Sequence, residues 1–152
     1  MVDLLTYDDD KAFSLMDDAA TVNRIVRTTP VERLRATRIG EWDAVQTLAH
    51  LVDTAEVFAE RVRRAIEEDT PTVQVIPAGR GADPDSDPMD LAKRLLVAHK
   101  RLVAYLETPA SRERPLIHTE WGRVTAGHTA AYQADHSRDH VKEIATSFPP
   151  AG

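Results

Sequence analysis

The sequence predicts an all-α protein, a four-helix bundle with long crossover connections. Three observations support this fold class. Apolar residues recur at helical spacing in four long segments, no segment carries a strong strand signal, and two irregular stretches containing proline and glycine separate segments. Since 152 residues can bury a substantial core, we expect one domain over residues 1–152.

The first helix is expected from about Lys11 to Thr28. Asp8 to Asp10 precede it and suit the start of a helix, where acidic side chains interact favourably with the helix dipole. Pro30 marks its end. Residues 31–40 are ambiguous, and we interpret them as a single helical turn followed by a connection.

The second helix is the most clearly predicted element. It begins at Trp42-Asp43, with Asp43 as N-cap, and ends near Glu68, before Pro71. Its apolar positions alternate steps of three and four, as in a helix packed lengthwise against near-parallel neighbours. These positions are Val45, Leu48, Val52, Ala55, Ala59, Val62 and Ile66.

Residues 70–88 are predicted to form a long, mobile crossover because they are rich in proline, glycine and aspartate. Asp87 or Asp90 then caps a third helix that runs to about Leu106. A second irregular stretch follows and contains a Trp-Gly turn. Thr125 caps the fourth helix, which continues to about Phe148.

Composition and charge exclude several classes of function. The net charge is −6, and there is no basic stripe for phosphate contacts, so we expect no nucleic-acid binding. No apolar run approaches the roughly 20 residues of a membrane span, so we expect no membrane insertion. The first ten residues lack signal-peptide features, which favours a cytoplasmic protein. Cysteine is absent, so any metal must be held by nitrogen and oxygen.

A pair of histidines in the fourth helix is the first candidate functional feature. His136 and His140 are four residues apart, so on a helix they lie on one face with Cβ atoms about 5–6 Å apart. Both imidazoles can then reach one metal ion. Two surface histidines would show the same spacing, so the pair alone leaves both interpretations open.

A second motif near the start of the second helix adds a third histidine. Trp42 is followed eight residues later by His50 and then by Leu-Val-Asp. This run, the later His-x-x-x-His pair and the Gly-x-Val-Thr segment at 122–125 resemble the DinB-like four-helix-bundle family of metal-binding proteins. The resemblance covers most of the chain, from the first helix to Ile144.

The resemblance implies that His50, His136 and His140 bind one divalent metal ion. Zinc, nickel and iron all suit neutral imidazole, and copper is a further alternative. Three protein ligands leave positions open for water or substrate, which is the catalytic pattern of metal sites. A bound ion would lower the pKa of water or hold a thiol as thiolate.

The helical wheel of the second helix argues against this role for His50. The residue falls opposite the apolar seam, on the side of Asp53, Arg61 and Arg64, which taken alone predicts a solvent-exposed histidine. The two observations agree if the helix is buried on two sides near its start. They also agree if the site opens into a cleft at the end of the bundle.

The other polar residues are given structural interpretations. His99 lies in the apolar stripe of the third helix and is expected to be a hydrogen-bonded core histidine. His118 and His128 are expected at the surface. Asp53 either orients an imidazole or acts as a base beside the ligands, or it is a solvated helix carboxylate. We expect Asp135, Arg138 and Asp139 to form a charged outer face of the fourth helix. Glu120 and Trp121 either line the mouth of the cleft or pack in an ordinary turn.

Two classes of function follow. The first is a metal-dependent enzyme: the resembling family includes S-transferases and isomerases that use low-molecular-weight thiols such as bacillithiol or mycothiol, and proteins regarded as metal-dependent hydrolases. Its partners would be a thiol and a small-molecule substrate. The second is a non-catalytic, stress-linked binding or dimerisation module. A homodimer stays an open alternative, because bundles often pair through a helix face.

Overall fold

The computed structural model describes residues 2–150, so the ends of the domain predicted over 1–152 lie outside the described residues. Four long helices account for most of the fold, with two short helices and five short strands between them. In chain order the elements are α1 (Asp9–Thr28), α2 (Val31–Ala36), β1 (Arg38–Ile39), β2 (Trp42–Asp43), α3 (Ala44–Glu67), β3 (Thr72–Val73), α4 (Pro88–Tyr105), α5 (Pro109–Arg112), β4 (Pro115–His118), β5 (Gly122–Thr125) and α6 (Ala126–Ser147).

The four long helices form the predicted bundle. α3 packs against α4 and α6, and α1 packs against the same two helices, so each helix has two principal neighbours. Buried aliphatic side chains fill the space between them, as expected from the seam of α3. None of the helices in residues 2–150 is long and apolar enough to cross a membrane.

The predicted helix starts are confirmed by their caps. Asp43 accepts a hydrogen bond from the backbone N–H of Gln46, whose side chain accepts one from the Asp43 N–H, which completes a capping box. Thr125 caps α6 by accepting from the His128 N–H, and Asp87 rather than Asp90 caps α4. These bonds satisfy N–H groups that a helix leaves without internal partners.

Five short strands lie between the helices in residues 2–150, although no segment of the sequence carries a strong strand signal. β1 and β2 form a small antiparallel pair, and β3, β4 and β5 form a sheet in which β3 runs parallel to β4 and β4 antiparallel to β5. The strands have two to four residues, too few to show an alternating pattern in the sequence. The sheet ties the beginning of the crossover to the β4–β5 hairpin, which precedes α6.

The long crossover between α3 and α4 packs against α3. The side chain of Trp42 would lie only 3.3 Å from a Cβ at Gly79, and a Cβ at Gly81 would lie 2.4 Å from the Cβ of Asp53. Both glycines have positive φ angles, 72° and 80°, which other residues rarely adopt. The close approach therefore depends on glycine at these two positions.

Candidate metal centre

His50 lies two turns into α3, where it is covered on two sides. The Trp42 ring packs against it with centroids 5.1 Å apart, and its Nδ1 lies 2.7 Å from the carbonyl oxygen of Arg80 in the crossover. A carbonyl can only accept, so Nδ1 carries the proton and donates it. His50 is 9% exposed, and the crossover accounts for burial that the helical wheel could not predict.

His136 and His140 occupy successive turns of α6. Their Nε2 atoms lie 3.0 Å apart and their ring centroids 4.5 Å apart. The Nδ1 of His140 lies 3.4 Å from a carboxylate oxygen of Glu143, one turn further along. α6 can approach α3 closely because it places small side chains in the core, namely Ala126, Ala130, Ala131 and Ala134.

The structure brings the three predicted histidines together. The His50 ring centroid lies 5.5 Å from that of His136 and 5.4 Å from that of His140, and each residue offers a ring nitrogen within 4.8 Å of the others. Among residues 2–150, this is the one group of three or more histidine, aspartate and glutamate side chains found with such spacing. The two sequence motifs therefore meet at one point between α3 and α6.

The donor set fits a divalent ion of the transition series. Two metal–nitrogen bonds of about 2.0–2.1 Å place their nitrogens roughly 3–3.4 Å apart, in agreement with the 3.0 Å between His136 and His140. With its proton on Nδ1, His50 has a lone pair on Nε2. Burial lowers the pKa of His136 to about 4, and it also lowers that of His140. Both rings are consequently neutral near pH 7, the form that binds metal.

A cavity of about 380 Å³ adjoins the histidines. His50 and His136 form part of its wall, together with polar and aromatic side chains from α3, α6 and the β4–β5 hairpin. Backbone and side chains of the crossover close another side. The remaining lining residues are Thr54, Phe58, Arg61, Val75, Ile76, Pro77, Ala78, Gly79, His118, Glu120, Trp121 and Tyr132.

His118 and His128 are buried, so the expectation of surface positions is wrong. Each is only 3% exposed. His118 stacks on Trp121 with centroids 4.1 Å apart, and its Nδ1 accepts hydrogen bonds from the backbone N–H groups of Glu120 and Trp121. His128 accepts from the N–H of Leu5. Burial lowers the pKa of both imidazoles.

Some residues that line the cavity were expected at the surface from the sequence. Arg61 was expected toward solvent from the wheel but is only 7% exposed. The Trp-Gly turn was the one available signal for the hairpin that carries His118. Glu120 and Trp121 line the cavity, which was one of the two alternatives for them.

Other polar residues have structural partners. His99 is fully buried between the carbonyl of Leu15 and the side-chain amide of Gln133, as expected for a core histidine. Asp53 forms an ion pair with Arg80 at 3.0 Å, which joins α3 to the crossover.

The predicted outer face on α6 is wrong in one respect. Arg138 turns toward α1, where it lies 3.2 Å from the buried carboxylate of Asp18. Asp135 and Asp139 are exposed, and Asp135 pairs with Lys11.

Curated relatives carry names that refer to metal-dependent hydrolysis. The chain is 31% identical over 112 residues to a protein of Bacillus mycoides (strain KBAB4) named "putative metal-dependent hydrolase". It is 28% identical over 112 residues to a protein of Oceanobacillus iheyensis with the same descriptive name. Both matches cover 70% of this chain and 65% of the relative, so the chain spans just under two thirds of their length.

A solved structure and a family model extend the likeness to the whole bundle. YfiT from Bacillus subtilis, described as a probable metal-dependent hydrolase with an unusual four-helix bundle topology, superposes with a TM-score of 0.76 at 20% identity. The superposition covers 91% of this chain and 83% of YfiT, and it shows that the two proteins share a fold. The model of the DinB superfamily matches residues 17–144, which include all three histidines. The chain therefore belongs to the DinB superfamily.

Proposed function

We propose that His50, His136 and His140 bind one divalent metal ion, and that the protein is an enzyme joining a low-molecular-weight thiol to a small electrophile. The observation that carries the proposal is the convergence of three imidazole nitrogens within 4.8 Å beside a cavity of about 380 Å³. Three protein ligands leave coordination positions open, as in catalytic sites. Zinc, nickel and iron all suit such a site.

The metal would supply Lewis acidity that lowers the pKa of a thiol or water at its open position. The protein supplies orientation of the ligands and an aromatic surface beside them. The Arg80 carbonyl holds the Nδ1 proton of His50, which keeps Nε2 free to coordinate. Trp121 and Tyr132 pack with ring centroids 4.7 Å apart and form an aromatic part of the cavity wall.

A thiol fits the cavity better than water as the nucleophile. Water must lose a proton during attack, usually to a positioned base, whereas a thiol has a lower starting pKa and can bind as thiolate. Among the described cavity residues, Glu120 is the one carboxylate, and it is exposed. The cavity therefore lacks a buried carboxylate base.

Hydrolysis is the second candidate. Two observations favour it: the relatives are named for metal-dependent hydrolysis, and the cavity lining contains one carboxylate, that of Glu120. In that case Glu120→Gln should abolish most activity. In the thiol reaction the same substitution should have little effect.

Metal analysis and a paired assay test the proposal. Purified protein should carry one divalent ion per chain, and His136→Ala should remove it, while His118→Gln should retain it because this ring lies outside the triad. Bacillithiol, mycothiol and cysteine are then each offered with a generic electrophile, and ester hydrolysis is measured without thiol. Full metal occupancy in a variant lacking all three histidines would refute the ligand assignment. Thiol-independent turnover would favour the hydrolase.

A further inference from the structure

Arg61 is a buried cation on the same face of α3 as His50. The two residues are eleven positions apart, close to three full turns of about 3.6 residues each. Arg61 is 7% exposed. Its guanidinium carbon lies 5.5 Å from the centroid of the Phe58 ring, one turn nearer to His50, and one of its N–H groups donates to the carbonyl of Gln74.

No carboxylate in residues 2–150 forms an ion pair with Arg61. The acidic residues on the outer side of α3 are each paired with another arginine: Asp53 with Arg80, Glu56 with Arg94 and Glu60 with Arg63. Burial lowers the pKa of Arg61, and the neighbouring positive charges of Arg80 and Arg64 lower it further. Burying an unpaired charge is costly, so such a residue commonly has an anionic ligand as its partner.

Arg61 lines the cavity that also contains His50 and His136. Thr54 and Phe58 occupy the intervening turns of α3 and line it as well. Along the helix axis, the backbone positions of residues 50 and 58 are roughly 12 Å apart, and the guanidinium of Arg61 lies beside the Phe58 ring.

We propose that Arg61 binds a carboxylate group of the substrate and so fixes the opposite end of the molecule at the histidine triad. The carboxylate-binding role depends on the cavity alone, whereas the reaction at the other end rests on the proposed metal function. The predicted substrates are therefore small carboxylates whose middle part is apolar or aromatic. The aromatic lining of the cavity, Phe58, Trp121 and Tyr132, matches such a middle.

A carboxylate suits Arg61 better than a phosphate. The guanidinium presents a planar fork that matches two carboxylate oxygens, and one of its N–H groups is already used by Gln74. Among the described residues that line the cavity, Arg61 is the one lysine or arginine, and burial lowers the pKa of both His118 and His136. A ligand group with a single negative charge therefore suits this one guanidinium, and Glu120, the one carboxylate of the lining, is exposed.

Calorimetric titration with two matched probes tests the proposal on the full chain. The probes are 4-phenylbutanoate and its neutral amide, 4-phenylbutanamide, and both are titrated into metal-free and metal-loaded protein. Wild type should bind the acid at least about tenfold more tightly than the amide, as one charge-assisted pair is lost with the amide. Arg61→Met should remove this preference. Arg64→Met is the matched control, because Arg64 is a surface residue paired with Glu68, and it should keep the preference.

Further variants separate this proposal from the metal assignment. His136→Ala should lose the metal and keep the preference for the acid, whereas Arg61→Met should keep the metal content. Arg61→Lys, which retains charge and loses the fork, should have an intermediate preference and covers the case in which Arg61→Met unfolds. The proposal is overturned if wild type binds neither probe below 10 mM, or binds both equally. An unchanged preference in folded Arg61 variants would overturn it as well.

Discussion

The Nδ1–H of His50 donates a hydrogen bond to the main-chain carbonyl of Arg80, 2.7 Å away and thirty residues later in the chain. This bond links a helix residue to the middle of the crossover. It sets the tautomer of His50, so Nε2 keeps the lone pair with which this ring can bind a metal together with His136 and His140. The crossover is thus a structural part of the triad.

Gly81→Ala should weaken metal binding without touching a ligand. The new Cβ would lie 2.4 Å from the Cβ of Asp53, and φ at this position is +80°, so the backbone beside Arg80 must shift. The Arg80 carbonyl should then release His50. Loss of a comparable supporting bond typically costs 10–100-fold in metal affinity, measurable by competition with a chelating dye.

Gly40→Ala is the control for this substitution. Gly40 also has a positive φ, +65°, yet nothing lies within 4 Å of the added Cβ. It should lose about 1 kcal/mol of stability through backbone strain and keep its metal affinity. Equal losses of affinity in the two variants would show that the crossover does not position His50.

The sequence predicted the four long helices and their caps because these depend on local signals. Asp43, Asp87 and Thr125 each bond to an N–H within three residues of themselves, and the seam of α3 repeats every three or four residues. The meeting of His50 with the α6 pair was inferred from motif order. Periodicity alone argued for the opposite, an exposed His50.

The features of the site that the sequence did not predict depend on contacts with irregular segments far away in the chain. The crossover contacts His50 through the carbonyl oxygen of Arg80. Because every residue has a main-chain carbonyl, this contact has no signature in the sequence. β3 and β4 contribute two residue pairs to their ladder, Thr72 with Ile117 and Val73 with His118, too short for a period-two pattern. The burial of His118 and Arg61 follows from these contacts.

Removal of a bound metal should lower the melting temperature. An ion held by native His50, His136 and His140 stabilises the folded state by mass action, since the unfolded chain does not assemble the triad. A strong chelator should therefore shift the melting temperature downward by several degrees. The shift should vanish in His140→Ala. An identical melting curve with and without chelator would favour the non-catalytic module.

Stability should fall in mildly acidic solution, in part because of His99. Burial lowers its pKa to about 4, below the ordinary value of 6.5, so the folded state favours the neutral ring. This contribution is complete above pH 6.5 and is lost as the pH falls toward 4, on the order of 3 kcal/mol. Urea denaturation at pH 7.5 and 5 should show a smaller pH dependence in His99→Leu than in wild type.

His99→Leu should also destabilise the protein at pH 7.5. The substitution leaves the buried amide of Gln133 without its acceptor, which costs about 1–3 kcal/mol. Replacing both residues, His99→Leu with Gln133→Leu, removes the unsatisfied groups together and should recover part of the loss. A double variant less stable than the sum of the singles would contradict this account of the pair.

Asp18→Asn should stabilise the protein more at pH 7.5 than at pH 4.5. Asp18 is fully buried, and burial raises its pKa to about 6, although Ser137 donates to it and Arg138 lies beside it. A raised carboxyl pKa means that the folded state favours the protonated form. Its contribution to stability is present below the ordinary value of 3.8 and is lost as the pH rises through about 6.

Asparagine mimics the protonated carboxyl at every pH, so the variant should gain relative to wild type across this window, by on the order of 2–3 kcal/mol. Urea denaturation at the two pH values measures the difference. Asp17→Asn is the matched control: Asp17 contacts the same arginine at 3.3 Å from the exposed side and should change stability by less than about 1 kcal/mol. A gain for Asp18→Asn that is equal at both pH values would mean that the buried carboxyl is ionised throughout, held by Arg138.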